Sequence, residues 1–143
     1  MGKIIQRAKL TNSGDAAAVR RGLLAPDQVR SIDVDFLVDT GAAMLCVTSD
    51  IIKILGLEKL HEREVITANG RVTRFVYEPV RLQIGDREGD LNVMELPEGT
   101  PALLGYLPLE TLDLYPNPKE QKLEGNPKYD GKMVMDLLSC GSV

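Results

Sequence analysis

Apolar and polar residues alternate in several stretches of this chain, and helical spacing is confined to short ones. Ile32, Val34, Phe36 and Val38 interleave with Asp33, Asp35 and Leu37, a period of two that predicts a strand with one face inward. That strand runs directly into Asp39-Thr40-Gly41-Ala42. Lys3 to Leu10 is β-compatible and stops at the turn formers Thr11-Asn12-Ser13-Gly14-Asp15. Val65 to Ala68, then Asn69-Gly70, then Val72 to Val76 predicts a hairpin with a type I′ turn, because Asn-Gly supplies the positive φ angles that turn needs. Pro79 and Gly85 are expected to punctuate the next strands, in which Leu82 alternates with Ile84 and Leu91 with Val93. Pro101 to Gly105 is an apolar run of buried character, and Met133-Val134-Met135 offers a last strand reaching Asp136.

Two short helices are expected. Thr48 or Ser49 can cap one through Ile51, Ile52, Ile54 and Leu55, with Gly56 placed to end it. Pro108 to Leu112 makes the other, with proline near its start. Ala16 to Ala18 favours helix, but Gly22 and Pro26 interrupt, so 15–30 reads as a connecting arm, and the polar stretch 116–132 reads as a surface connection. The expected fold is mainly β, one domain over 1–143, in a closed or sandwiched sheet that hides so many strand edges.

Composition narrows the chemistry. With 143 residues, 43% of them hydrophobic, the chain can fill one core but not two catalytic domains. A net charge of -4 and a pI near 5.0 lack the basic excess that nucleic acid requires. His61 is the single histidine, which removes multi-imidazole zinc sites and most Ser-His or Cys-His arrangements and leaves carboxylates to carry acid-base work. His61 itself, beside Glu62-Arg63-Glu64, reads as a solvated loop position. Cys46 and Cys140 have no C-x-x-C spacing and read as two reduced thiols. No apolar run approaches the roughly 18 residues of a membrane span, and Met1 to Arg7 has no apolar signal core. A soluble cytoplasmic protein with no membrane or nucleic-acid partner is the expectation.

The sharpest chemical feature is Phe36-Leu37-Val38-Asp39-Thr40-Gly41-Ala42, a carboxylate delivered by an apolar strand into a glycine turn. It resembles the active-site motif of the aspartic proteases. Its single occurrence is similar to the retroviral-type, retropepsin-like branch, in which each subunit is half an enzyme. Leu103-Leu104-Gly105 followed by a short helix resembles that branch's late apolar-glycine feature, and the Asn69-Gly70 hairpin sits where the family carries its flap. The resemblance covers roughly positions 31 to 115. It implies a closed retropepsin-like β-barrel forming a two-fold homodimer, with interleaved terminal strands, acting on peptide or protein substrates with no cofactor and no metal. It further implies Asp39, Thr40 and Gly41 as catalytic, with Thr40 bonding across the dimer. Ala42, Thr67, Ala68, Asn69 and Gly70 would contact substrate beneath a lid at 66–74. Leu103, Leu104 and Gly105 would support the site, where a side chain at 105 would collide with the loop. The flap tip has one glycine, unlike the glycine-rich retroviral tips.

Two carboxylates at hydrogen-bonding distance share one proton, so one acts as base on a water and the other as acid toward the peptide carbonyl. That makes an aspartic endopeptidase the leading function. A non-catalytic peptide-binding or dimerisation module of the same fold is the alternative. Two further readings stay open from the residues alone: an Asx turn closing the strand, and an Asp33, Asp35 and Asp39 cluster for Mg²⁺ or Ca²⁺.

Overall fold

In a computed structural model that describes residues 3–135 and 137, the alternation at 32–38 is realised as a strand with Val34 and Phe36 buried and Asp33 and Asp35 exposed. The elements in chain order are β1 (Ile5–Asn12), α1 (Ser13–Arg20), a 3-10 turn (Pro26–Gln28), β2 (Ser31–Val38), β3 (Leu45–Thr48) and α2 (Ser49–Leu55). Then come β4 (Lys59–Thr67), β5 (Gly70–Ile84), β6 (Arg87–Leu96), β7 (Leu103–Leu104), α3 (Tyr106–Leu112), β8 (Tyr115–Asn117), β9 (Lys122–Glu124) and a second 3-10 turn (Pro127–Tyr129). The described residues are mainly β with three α-helices. Seven strands form one sheet in the order β1-β2-β7-β3-β6-β5-β4, and β1 also pairs with β5, so the sheet returns on itself. β8 and β9 form a separate two-stranded hairpin.

The inward residues of these strands make the core: Leu10, Phe36, Leu45, Val47, Val80, Leu82, Val93 and Leu104 are fully buried, joined by Leu55 of α2 and Leu112 of α3. A second, smaller apolar cluster of Cys46, Val76 and Met94, with Met44, Val65, Leu96 and Leu103 packed against it, lies toward the β4–β5 hairpin.

Several expectations are corrected. The turn formers at 11–15 open a helix: Asn12 accepts the Asp15 N–H at 3.0 Å as N-cap of α1. Asn12 also donates to the Leu55 carbonyl at 2.7 Å, tying β1 to α2. The 15–30 segment is therefore a helix and a 3-10 turn, pinned where the Asp15 carboxylate accepts from Arg30 N–H, Nε and Nη2 at 3.0, 2.9 and 2.9 Å. The Arg30 guanidinium holds the Asp15 carboxyl below its ordinary range. Pro79 does not break a strand, because β5 passes through it at a register shift between Tyr77 and Val80, where a missing N–H is tolerated.

The flap turn is not type I′. Thr67 pairs with Gly70, Ala68-Asn69 form the two-residue connection, and only Gly70 takes a positive φ, +106°. Thr67 Oγ1 donates to the Gly70 carbonyl at 2.9 Å and accepts the Asn69 N–H at 3.2 Å, a side-chain clasp that Asn69 does not need a left-handed φ to satisfy. His61 lies in β4, not in a loop. Segment 116–132 contains β8 and β9 rather than a plain connection. Met133, Val134 and Met135 carry no strand, since among the described residues no strand pairs with them, and Asp136 and Cys140 lie outside the described residues. No helix among the described residues is long and apolar enough to cross a membrane.

Candidate active site

β2 carries Asp39 out of the core at its C-terminal end, and the chain turns at once. Asp39 Oδ1 accepts the Gly41 N–H at 2.9 Å, and the Asp39 carbonyl accepts the Ala42 N–H at 3.1 Å. A Cβ at Gly41 would stand 3.2 Å from that same Oδ1, so glycine keeps the carboxylate's near side clear. Asp39 is half-buried, while Thr40 and Gly41 are exposed.

The loop is held from behind by β7 and α3. β7 runs parallel to β2, with the Leu37 N–H donating to the Ala102 carbonyl at 2.8 Å and the Asp39 N–H to the Leu104 carbonyl at 3.0 Å. The first turn of any helix has N–H groups without partners inside it. In α3 the loop supplies them: Tyr106 N–H donates to the Ala42 carbonyl at 2.9 Å and Leu107 N–H to the Ala43 carbonyl at 3.0 Å. Gly105 N–H donates to the Met44 carbonyl at 3.1 Å. This approach leaves no room for a side chain, since a Cβ at 105 would fall 2.6 Å from Ala42 O, 2.7 Å from the Ala43 carbonyl carbon and 2.7 Å from Met44 O. Gly105 is buried with a φ of -80°, so glycine is required there by space rather than by backbone angle.

In front of the loop lies a cavity of about 940 Å³. It is lined by Gly41 to Cys46, by Arg63, Val65, Thr67, Arg74 and Val76 of the hairpin, and by Met94, Leu96, Leu103 and Tyr106. Of the residues singled out in the sequence, Gly41, Ala42, Thr67 and Leu103 line this space. Asp39 and Thr40 immediately precede the lining segment in the chain and are not themselves among the lining residues, Leu104 and Gly105 lie behind the loop, and Ala68, Asn69 and Gly70 are at the exposed hairpin tip outside it. Met44, Val76, Met94, Arg63 and Arg74 were not anticipated as lining residues. Met44 could have been found from its place two residues past Ala42, but the others depend on strand register.

Cys46 is buried among the lining residues, and burial followed by the nearby Asp39 charge pushes its thiol up to about 11. Asp33 and Asp35 do not join Asp39. Both turn to the outer face toward Arg7, at 3.9 and 3.2 Å. Among the described residues no group of three His, Cys, Asp or Glu side chains is placed to hold a metal ion.

The family model described as "gag-polyprotein putative aspartyl protease" matches residues 28–110, more than half of the chain. Among solved structures, the Simian Foamy Virus (mac) protease is similar at 15% identity and a TM-score of 0.47, over 74% of this chain and 91% of that one. The EIAV protease complexed with the inhibitor HBY-793 is similar at 18% identity and 0.43, over 72% and 83%. A retropepsin-like aspartic protease from Rickettsia conorii is similar at 21% identity and 0.45, over 76% and 82%. No curated protein matches the chain.

Proposed function

The chain belongs to the gag-polyprotein aspartyl protease family, and from that premise we propose that it is an aspartic endopeptidase whose site is built from the Asp39 of two subunits. The observation that carries the reading is the Asp39 loop itself: locked from behind through Gly105 and opening forward onto a peptide-sized cavity under a hairpin.

One Asp-Thr-Gly per chain supplies one carboxylate, and the chemistry needs two. A second copy related by a two-fold axis brings its own Asp39 to the first. The ionised member takes a proton from a water held between the pair as that water attacks the scissile carbonyl. The protonated member donates to the carbonyl oxygen as it becomes a gem-diol oxygen. Thr40, exposed beside Asp39, is available to bond across the axis and fix the pair, and Gly41 leaves room for the substrate backbone. The β4–β5 hairpin, its tip at Ala68-Asn69-Gly70, closes over an extended peptide and excludes bulk water. The β1–β5 pairing supports a closed barrel as the scaffold. Met133, Val134, Met135 and Leu137 are exposed apolar residues, which a second copy would cover. Removing 133–143 then gives monomers in sedimentation.

Asp39→Asn tests the catalytic assignment. The amide can neither hold the shared proton nor act as base, so peptide hydrolysis falls roughly 10³-fold or more while the protein stays folded and dimeric. Hydrolysis by Asp39→Asn at a comparable rate overturns the assignment. Binding of peptides without turnover by the wild type would place the protein among non-catalytic peptide-binding modules.

A further inference from the structure

The cavity-facing side of the β4–β5 hairpin carries a charge arrangement that hairpin stability does not explain. Arg63 and Arg74 stand directly opposite each other across the two strands, in register with the pairs His61–Val76 and Val65–Val72. Opposed residues bring their Cβ atoms to about 5 Å, and like charges so placed destabilise the pair. Neither arginine is neutralised by its neighbours. The Arg63 side chain has no hydrogen bond or ion pair among the described residues, and Arg74 donates only to the Thr73 carbonyl at 3.4 Å.

Both arginines line the cavity, whose carboxylates are Glu64 and Asp90. Asp90 is already engaged by Arg81 at 3.4 Å and by the Ser13 hydroxyl at 3.1 Å. Glu64 follows Arg63 in β4 and lines the same cavity, with no ion pair or hydrogen bond of its side chain among the described residues. With Asp90 engaged by Arg81, the two arginines outnumber the one remaining carboxylate, Glu64, and the mouth carries an excess of positive charge in a chain whose net charge is -4. Beneath it the floor is apolar and rich in sulfur, with Met44, Cys46, Met94 and Val76. Methionine side chains adapt to many shapes, so such a floor accepts a large apolar group without discriminating sharply between them. Discrimination falls to the charges above it.

We propose that Arg63 and Arg74 are specificity determinants that select acidic peptides, holding a substrate carboxylate next to a large apolar side chain seated on the Met44–Met94 floor. The inference rests on the peptidase reading and adds the class of substrate to it. An extended peptide lying along the hairpin turns alternate side chains toward it. A Glu or Asp there meets two guanidinium groups in charge-assisted, fork-geometry hydrogen bonds. The same contact removes the repulsion between the arginines, so an acidic peptide stabilises the hairpin that covers it.

The full-length protein is incubated with a peptide library, and the cuts are read by mass spectrometry. Asp and Glu are expected to be enriched at one fixed distance from the cut, beside an apolar residue. In Arg63→Glu/Arg74→Glu the enrichment moves to Lys and Arg, and kcat/KM on an acidic peptide falls roughly 10²-fold, mostly through KM. Arg63→Gln/Arg74→Gln, which removes the repulsion, keeps or raises Tm and loses the preference, so misfolding of the reversed variant does not decide the matter. A second arm uses Asp39→Asn protein and two fluorescein-labelled peptides identical except for Glu or Lys beside a Leu, with affinity read by anisotropy. Cutting without acidic enrichment, or enrichment that survives both double variants, overturns the inference and leaves the peptidase standing. Arginine-dependent preference for the Glu peptide with no cutting by wild type upholds the inference and removes the peptidase. Equal binding of both peptides with no cutting removes both.

Discussion

The Asp39 loop and the β4–β5 hairpin face each other across one cavity, and they are held by opposite means. Behind Asp39 every contact that matters is backbone to backbone: Leu104 O, Ala42 O, Ala43 O and Met44 O each accept an N–H from the neighbouring element. The hairpin beyond Val65 has only its own ladder and the Thr67 clasp, and Ile66 is 82% exposed. The difference separates two tasks. Under the proposed peptidase reading, the Asp39 loop would have to be held to fractions of an ångström, whereas the hairpin would have to open and close.

The largest effect breaks the rigid side. Gly105→Ala drives a methyl into three backbone atoms within 2.7 Å and costs roughly 3 kcal/mol, read as a lower midpoint in urea. The matching change in the hairpin, Gly70→Ala, meets open space, and its φ of +106° adds about 1–2 kcal/mol of strain. Equal losses at the two glycines would remove the contrast.

Next in size is Asp15→Ala, about 2 kcal/mol, because it strips α1 and the following segment of the carboxylate that Arg30 grips. Asp15 is a carboxyl held below its ordinary 3.8, so its contribution is present above that value and is lost as pH falls through the lowered one. Acid unfolding of wild type and Asp15→Ala should therefore converge as pH falls below 3.8 and through the lowered value. A constant gap down to pH 2 would show that the carboxylate is not the cause.

The smallest effect sharpens the contrast through Cys46. Its thiol is raised from 9.0 to about 11, so it stays protonated at pH 8 and resists alkylation in the native state. The unfolded thiol ionises first as pH rises, so native stability declines between about 9 and 11. Peptide mapping after iodoacetamide treatment should find Cys46 unmodified until denaturant is added. Rapid native modification would mean that the wall behind the loop opens.

The Asp39 loop was legible in the sequence and the hairpin only in part. Alternation in β2, the Asp39-Thr40-Gly41 turn and Gly105 before a short helix all rest on local pattern or on glycine's unique lack of a side chain. An Asn-Ser-Gly-Asp cluster suits a turn and a helix cap equally, and burial of Asp15 against Arg30 decides for the helix that Asn12 caps. Arg63 and Arg74 were invisible for a different reason. Only the register of β4 on β5 places them opposite each other, and neither strand's own pattern reveals it.

The central claim is that the locked loop presents Asp39 to its twin across a two-fold axis. The most direct measurement is the distance between the two Asp39 carboxylates in an experimentally determined structure of the protein in solution-relevant assembly. The account predicts a dimer with carboxylate oxygens about 2.6–3.2 Å apart, within hydrogen-bonding reach. An assembly that leaves the two carboxylates more than about 6 Å apart, beyond sharing a proton, would contradict it.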